Sequence, residues 1–177
     1  MNRIMVIGIS AGAGKSTFAR EVGEALGIEV IHLDAIFWKP GWVESELEEF
    51  SAAQRGIVKK QQWIMEGNYS NTFDIRADMC DTVIYLELPL YICLYRVLKR
   101  WITNIGRTRA DMAEGFQEKM DWPFIKFIIT TYGPRKKKMA ERLMKFHAAG
   151  KKVIVLRSQE EIELYVKGLE GKVNRVC

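Results

Sequence analysis

Gly8-Ile9-Ser10-Ala11-Gly12-Ala13-Gly14-Lys15-Ser16-Thr17 follows directly on the apolar run Ile4-Met5-Val6-Ile7. This is a strand that feeds a glycine-rich turn, after which a lysine and two hydroxyls open an amphipathic helix with Phe18, Val22 and Ala25 on one face. Gly12 and Gly14 carry no Cβ, so backbone N–H groups on either side of Ala13 can crowd around phosphate oxygens. The helix that starts near Lys15 adds unpaired amides and the positive end of its dipole. Lys15 can reach terminal phosphates and the Ser16 hydroxyl can ligate Mg²⁺, which makes Gly12, Ala13, Gly14, Lys15, Ser16 and Thr17 the candidate nucleotide-binding residues. Ile9 stands where the G-x-x-x-x-G-K-[ST] pattern has its first glycine, with Gly8 one residue early; the rest of the pattern is in place.

The chain has 177 residues, enough for one domain with a substantial core. With 48% hydrophobic and 28% charged residues it is a globular rather than a disordered composition. No apolar run approaches the roughly 20 residues that span a bilayer, and the N-terminal apolar run reads as a core strand rather than a signal peptide. Cys80, Cys93 and Cys177 have no metal-like spacing and are odd in number. Neither a disulfide framework nor a zinc site is expected, and a cytoplasmic location is. The net charge of +5 is unevenly spread: Arg96, Lys99, Arg100, Arg107 and Arg109 occur without an intervening acid, and Arg135 to Lys138 with Arg142 and Lys145 form a second cluster. Such clusters suit phosphate-rich ligands. The second is more readily read as a solvated helix face.

Strand and helix signals alternate, which predicts a parallel sheet with helices on both faces. The expected strands are Arg3 to Gly8, Glu29 to Leu33, Trp63 to Glu66, Thr82 to Leu88 and Lys152 to Leu156, several of them continuous apolar runs as in strands buried on both sides. Helical stripes fall at Leu94, Val97, Leu98 and Trp101, at Met139, Leu143 and Phe146, and at Ile162, Tyr165, Val166 and Leu169. Two stretches interrupt the alternation, 35–62 with its turn Phe37-Trp38-Lys39-Pro40-Gly41-Trp42, and 103–122 with two arginines and two glycines. Both lie toward the carboxyl edge of the sheet, where ligands bind in open α/β folds.

Asp34 ends the second strand, where it can face an acceptor hydroxyl and orient it or take its proton; the alternative is a cap for the following segment. His32, two residues earlier, is expected to be an ordinary strand residue with a local hydrogen bond. Glu66 ends the third strand, where a carboxylate can hold Mg²⁺ through water, or instead pair with a nearby cation. Gly67 permits close approach of a ligand, and Asn68 and Tyr69 offer hydrogen-bonding groups at the mouth. Arg96 and Arg100 share a helix face, on the polar side of that helix's apolar stripe, and Arg107 and Arg109 follow in a lid-like insertion. Cations around a transferring phosphoryl group supply much of the rate, and a lid excludes water. Arg157 follows the fifth strand and is positioned to stack on a nucleotide base. Trp38, Trp42, Phe124, Phe127 and Tyr132 either line an acceptor pocket or belong to the core.

The strings Gly8 to Thr17, His32 to Trp42, Glu66-Gly67-Asn68-Tyr69-Ser70, Arg96-Val97-Leu98-Lys99-Arg100 and Gly106 to Gly115 resemble those of the bacterial topology modulation proteins, which are small adenylate-kinase-like proteins. The resemblance runs from about Arg3 to Leu169. It implies a P-loop NTPase fold with a five-stranded parallel sheet between helical layers, an acceptor-binding insertion (35–62) and an arginine-bearing lid (103–122) within one domain, 1–177. In the wider nucleoside monophosphate kinase group, Gly12, Gly14, Lys15 and Ser16 match the phosphate loop, Arg96 and Arg100 the lid-entry pair, and Glu66-Gly67 an Asp-Gly. Asn68-Tyr69 departs from the Phe-Pro-Arg that usually follows, so the resemblance does not carry AMP over as substrate.

Together these residues predict an ATP-binding, Mg²⁺-dependent phosphotransferase acting on a small nucleotide, nucleoside or hydroxylated metabolite. Lys15, Asp34, Arg100, Arg107 and Arg109 are the expected catalytic residues, with Arg96 and Arg157 on the nucleotide. Asp34, Trp38, Gly67, Asn68 and Tyr69 are expected on the acceptor, and Ser16 and Glu66 on the metal. The alternative is a nucleotide-gated regulator linked to DNA topology, in which the basic clusters touch nucleic acid; it is the less favoured reading.

Overall fold

The computed structural model describes residues 1–41, 43–103 and 122–173. Arg3–Gly8 forms β1, and after the glycine turn Lys15–Leu26 forms α1. Then come Val30–His32 (β2), Leu33–Phe37 (α2), the antiparallel pair Trp38–Lys39 (β3) and Val43–Glu44 (β4), and Leu47–Ile57 (α3). Trp63–Glu66 (β5) leads through a 3-10 turn at Ser70–Thr72 into Phe73–Met79 (α4). Thr82–Leu86 (β6), Leu90–Thr103 (α5), Trp122–Ala148 (α6), Lys152–Leu156 (β7) and Gln159–Val173 (α7) follow.

The five expected strands form a single parallel sheet in the order β2-β5-β1-β6-β7. Two are shorter than expected: Leu33 already begins α2, and β6 ends at Leu86, three residues before Pro89. Ile4, Met5, Val6 and Ile7 are wholly buried, because β1 lies at the centre of the sheet between helical layers. The connection from β1 to β2 runs the opposite way along the sheet from those that follow β5 and β6. With right-handed crossovers, this places α1 on one face and α4 and α6 on the other. Contacts agree: Phe18 of α1 meets Tyr165 of α7 at 6.1 Å between rings, and Phe73 of α4 stacks on Phe146 of α6 at 6.0 Å. The reversal of direction at β1 opens a crevice at its carboxyl end.

The insertion at 35–62 resolves into the end of α2, the β3–β4 pair and α3. Of the expected lid, only Thr103 and Trp122 are described, as the last residue of α5 and the first of α6; 104–121 lie outside the described residues, as do Trp42 and Cys177. The faces expected for α6 and α7 pack inward, with Phe146, Ile162, Val166 and Leu169 buried. The stripe expected for α5 is a correction. Its buried residues are Cys93 and Val97, whereas Leu98 and Trp101 are 45% and 37% exposed. The helix is turned so that Cys93 and Val97 back the glycine loop, which needs a close apolar floor. Residues 93, 96, 97 and 100 share one face, so Arg96 and Arg100 lie toward the loop, not on the far polar side. No helix among the described residues is long and apolar enough to cross a membrane.

Candidate active site

The glycine turn sits in the crevice at the end of β1. Gly12 has φ +77°, and a Cβ there would lie 2.2 Å from the Cys93 carbonyl oxygen, so the loop rests directly on the first turns of α5. Gly14 is the left-handed N-cap of α1, leaving the first amides of the helix directed at the crevice. Lys15 folds back over Gly8: a Cβ on Gly8 would meet the Lys15 stem at 2.8 Å. The early glycine therefore has a task, to let the lysine lie flat along the strand end. Ile9, at the position of the missing glycine, is buried in the core. Thr17 is exposed at the start of α1.

Glu66 closes the other side. The register pairs it with Val6 on β1 and with His32 on β2, which puts the three strand ends level. Its Oε1 is 3.9 Å from Lys15 Nζ, and its Oε2 accepts from Ser16 Oγ at 3.2 Å. Burial works against ionisation of this carboxyl, but the His32 hydrogen bond, the Lys15 ammonium and the Ser16 hydroxyl outweigh it and hold the group below the usual carboxylate range. An ionised carboxylate only accepts, so the His32 Nδ1 that lies 3.0 Å from Oε2 carries the proton. His32 does make a local hydrogen bond, as expected of it, but its partner is the central carboxylate of the site. Its signal was the strand register, which a sequence does not print.

Asp34 lies in the first turn of α2 and accepts a hydrogen bond from Tyr69 Oη at 2.6 Å. Burial, then the Asp34 charge, pushes the Tyr69 phenol up, so it stays protonated and donates. Trp38 packs edge-on against Phe37 at 5.0 Å, and Phe37 and Phe50 pack on the Tyr69 ring at 4.8 and 4.9 Å. Trp38 thus belongs with Asp34 and Tyr69. Phe127 and Tyr132 are elsewhere, on α6, where Tyr132 Oη donates to the Leu88 carbonyl at 3.0 Å. Gly67 has φ +143° and a Cβ there would lie 2.9 Å from Leu33 Cβ, so the 32–34 and 66–69 segments touch. Asn68 Oδ1 accepts from the Gly8 amide at 3.0 Å, tying the mouth to the end of β1.

Arg96 reaches the phosphate loop, with Nη1 3.5 Å from the Ala13 carbonyl and Nη2 donating to Gln159 Oε1 at 2.6 Å. Arg100 follows one turn later on that face and is half-buried. Arg157 is exposed on the loop after β7, its Nε 3.4 Å from Glu87 Oε1. Arg107 and Arg109 lie outside the described residues.

Arg76 is a residue that the sequence reading passed over. It is wholly buried, and donates to the carbonyls of Gly67 at 2.7 Å and of Asn68 and Tyr69 at 3.3 Å each. Burial lowers its pKa to about 10, still well above neutrality, so a charged fork holds the mouth from behind. Among the described residues no three His, Cys, Asp or Glu side chains converge on a metal position. That fits Mg²⁺, which takes one or two protein oxygens and completes its shell with water and phosphate. Ser16 Oγ and Glu66 Oε2, 3.2 Å apart, could offer two such oxygens.

No protein-family model matches the chain, and no curated protein matches it either. Among solved structures it is similar to a shikimate kinase from Bacteroides thetaiotaomicron (16% identity, TM-score 0.57, 98% of each chain covered). It is similar also to the shikimate kinase from Acinetobacter baumannii in complex with shikimate (16%, 0.52, 99% of this chain and 94% of that one). A gluconokinase from Sinorhizobium meliloti 1021 is a third (13%, 0.53, 99% and 93%). The chain has a P-loop kinase fold. At these identities the likeness extends to the fold alone, over nearly the whole length.

Proposed function

We propose that this protein transfers the γ-phosphoryl group of ATP to a small acceptor. The observation that carries the reading is Glu66 meeting both Lys15 and Ser16 at the end of β5, beside a loop shaped for phosphates. Lys15 would bind the β- and γ-phosphates, while Gly12 to Thr17 offer backbone amides and Arg96 closes the Ala13 side. Ser16 and Glu66 would hold Mg²⁺, which would supply positive charge to offset that of the phosphates. Asp34, its orientation fixed by Tyr69, would accept a hydrogen bond from the acceptor hydroxyl and take its proton. Gly67, Asn68 and Trp38 would shape that side. Arg100, Arg107 and Arg109 would stabilise the charge in flight, and Arg157 would lie by the base. We further propose, on the strings quoted from the sequence, that the chain belongs with the topology modulation proteins.

A coupled ADP-release screen across nucleosides, nucleotides and hydroxylated metabolites tests the reaction. At least one acceptor should give Mg²⁺-dependent ADP release, and Lys15→Ala should lower it by about a hundredfold or more with the fold intact. ADP at background with every acceptor would overturn the reading. The DNA-linked alternative relies on the cluster after Arg135, yet Lys136 in it is 3.2 Å from Glu87 and Arg142 lies over the Phe73 ring. It would require duplex binding that weakens steeply with salt.

A further inference from the structure

A cavity of about 60 Å³ lies between α6 and the β5–α4 connection, with Gly8 and Ile9 at the end of β1 in its lining. By the volume one water position takes, that is room for about four to six waters, or for one carboxylate or phosphate group. Asn68 and Ser70 line one wall, and Arg135, Lys138 and Arg142 the other. Tyr85 of β6 forms part of its lining. Its described lining is lopsided, with three cations and no carboxylate.

Each of these groups has donors to spare. Tyr85 is wholly buried and its hydroxyl has no hydrogen-bond partner among the described residues. Arg142 lies over the Phe73 ring at 3.7 Å and Arg135 over Phe127 at 4.6 Å. These ring contacts use the faces of the guanidinium groups and leave the N–H edges unspent. The nearby acid Glu87 is taken up by Lys136 at 3.2 Å and Arg157 at 3.4 Å. Burial lowers the pKa of Arg135, the mark of a charge drawn out of water without a full counter-charge. Half-burying two arginines beside an orphan hydroxyl is costly unless something anionic completes the set.

We propose that this cavity binds a carboxylate or phosphate group, held by Arg135, Lys138 and Arg142 and by a hydrogen bond from the Tyr85 hydroxyl. Gly8, the residue over which Lys15 folds, is part of its lining, so an anion here sits beside the phosphate loop. The group is therefore part of the acceptor, which is an acidic small molecule. That last step rests on the phosphotransferase reading; the anion site does not. A concave pocket of this size admits one such group and not the convex backbone of a duplex.

The test is calorimetric titration of the full chain saturated with ADP and Mg²⁺, so that the phosphate loop is occupied, with inorganic phosphate in one arm and succinate in the other. Saturable binding is expected in at least one arm, and the stronger arm identifies the chemistry. Arg142→Gln and Lys138→Gln should each weaken it by about tenfold, and Tyr85→Phe by about threefold to thirtyfold. Lys138 is exposed, and the Tyr85 hydroxyl makes no hydrogen bond among the described residues, so these two changes should leave Tm as it was. No binding in either arm, or equal binding by parent and all three variants, would overturn the site. Displacement of the probe by duplex DNA, with the same sensitivity to the variants, would overturn it in favour of a nucleic-acid surface. Turnover of a neutral acceptor that Arg142→Gln leaves unchanged would sink the acidic-acceptor claim and spare the phosphotransferase. Intact anion binding with no ADP release from any acceptor would do the reverse.

Discussion

Glu66 is 3% exposed and still ionised, because three donors on two elements, Lys15 and Ser16 of α1 and His32 of β2, converge on it. Its depressed pKa links the site to stability. The stabilisation is fully present above the unfolded value of 4.5 and is lost as pH falls through the lower folded value, when a buried carboxyl must take up a proton that its partners oppose. Asp81 adds to the same acid limb: burial opposes its charge, but Thr82 and the Arg3 and Asn2 amides hold its carboxyl below its usual range. Thermal unfolding followed from about pH 7 to about pH 3 should show Tm falling on the acid side. Glu66→Gln should be less stable than the parent at neutral pH, and the gap should narrow as pH falls. A constant gap would mean that Glu66 carries no such linkage. Lys15, Ser16 and Glu66 were legible because each is set by a spacing along the chain. His32 and Arg76 were not, since their roles depend on which strands are neighbours and on what lies behind a turn.

The pairing of the glycine loop with α5 belongs to the scale of elements. Gly12 needs its hydrogen because its positive φ and the Cys93 carbonyl leave no space for a Cβ. Gly12→Ala must push the loop off the helix, at about 2 kcal/mol or more, or roughly 4–8 °C in Tm. Gly27→Ala is the control, because Gly27 also has positive φ (+65°) but nothing within 4 Å, so it should lose only about 1 kcal/mol. Equal losses in the two would refute the seating of the loop on α5. ATP affinity should fall in the first variant and hold in the second. This contact also explains the error in the α5 stripe. Leu94, Val97, Leu98 and Trp101 have helical spacing, but so do Cys93, Arg96, Val97 and Arg100, and periodicity could not choose between overlapping faces. The choice was made by the loop, which needs a flat apolar floor at Cys93 and Val97 with cations beside it.

For the whole molecule, the sheet order puts β5 between β2 and β1, so residues far apart in sequence end level at one edge. Alternating apolar runs were enough to foresee five parallel strands, since a strand covered on both faces has to be apolar throughout. They did not foresee how the edge is braced. The brace is Arg76 on α4, whose guanidinium holds Gly67, Asn68 and Tyr69; Asn68 in turn holds the Gly8 amide of β1, and Tyr69 holds Asp34 beyond β2. One buried cation thus joins the helical layer of α4 and α6 to both halves of the site. Arg76→Met would fill much of the volume but leave three inward-facing carbonyls without their donor, a loss of about 3 kcal/mol. Arg76→Lys keeps the charge without the fork and should fall between the two. If the brace works as argued, amide exchange quickens at Asn68 and Tyr69 before it does along α1, and KM for the acceptor rises more than KM for ATP. The lysine variant should recover part of both effects. A uniform loss of protection across the sheet, with both KM values moving together, would mean that Arg76 only stabilises the core.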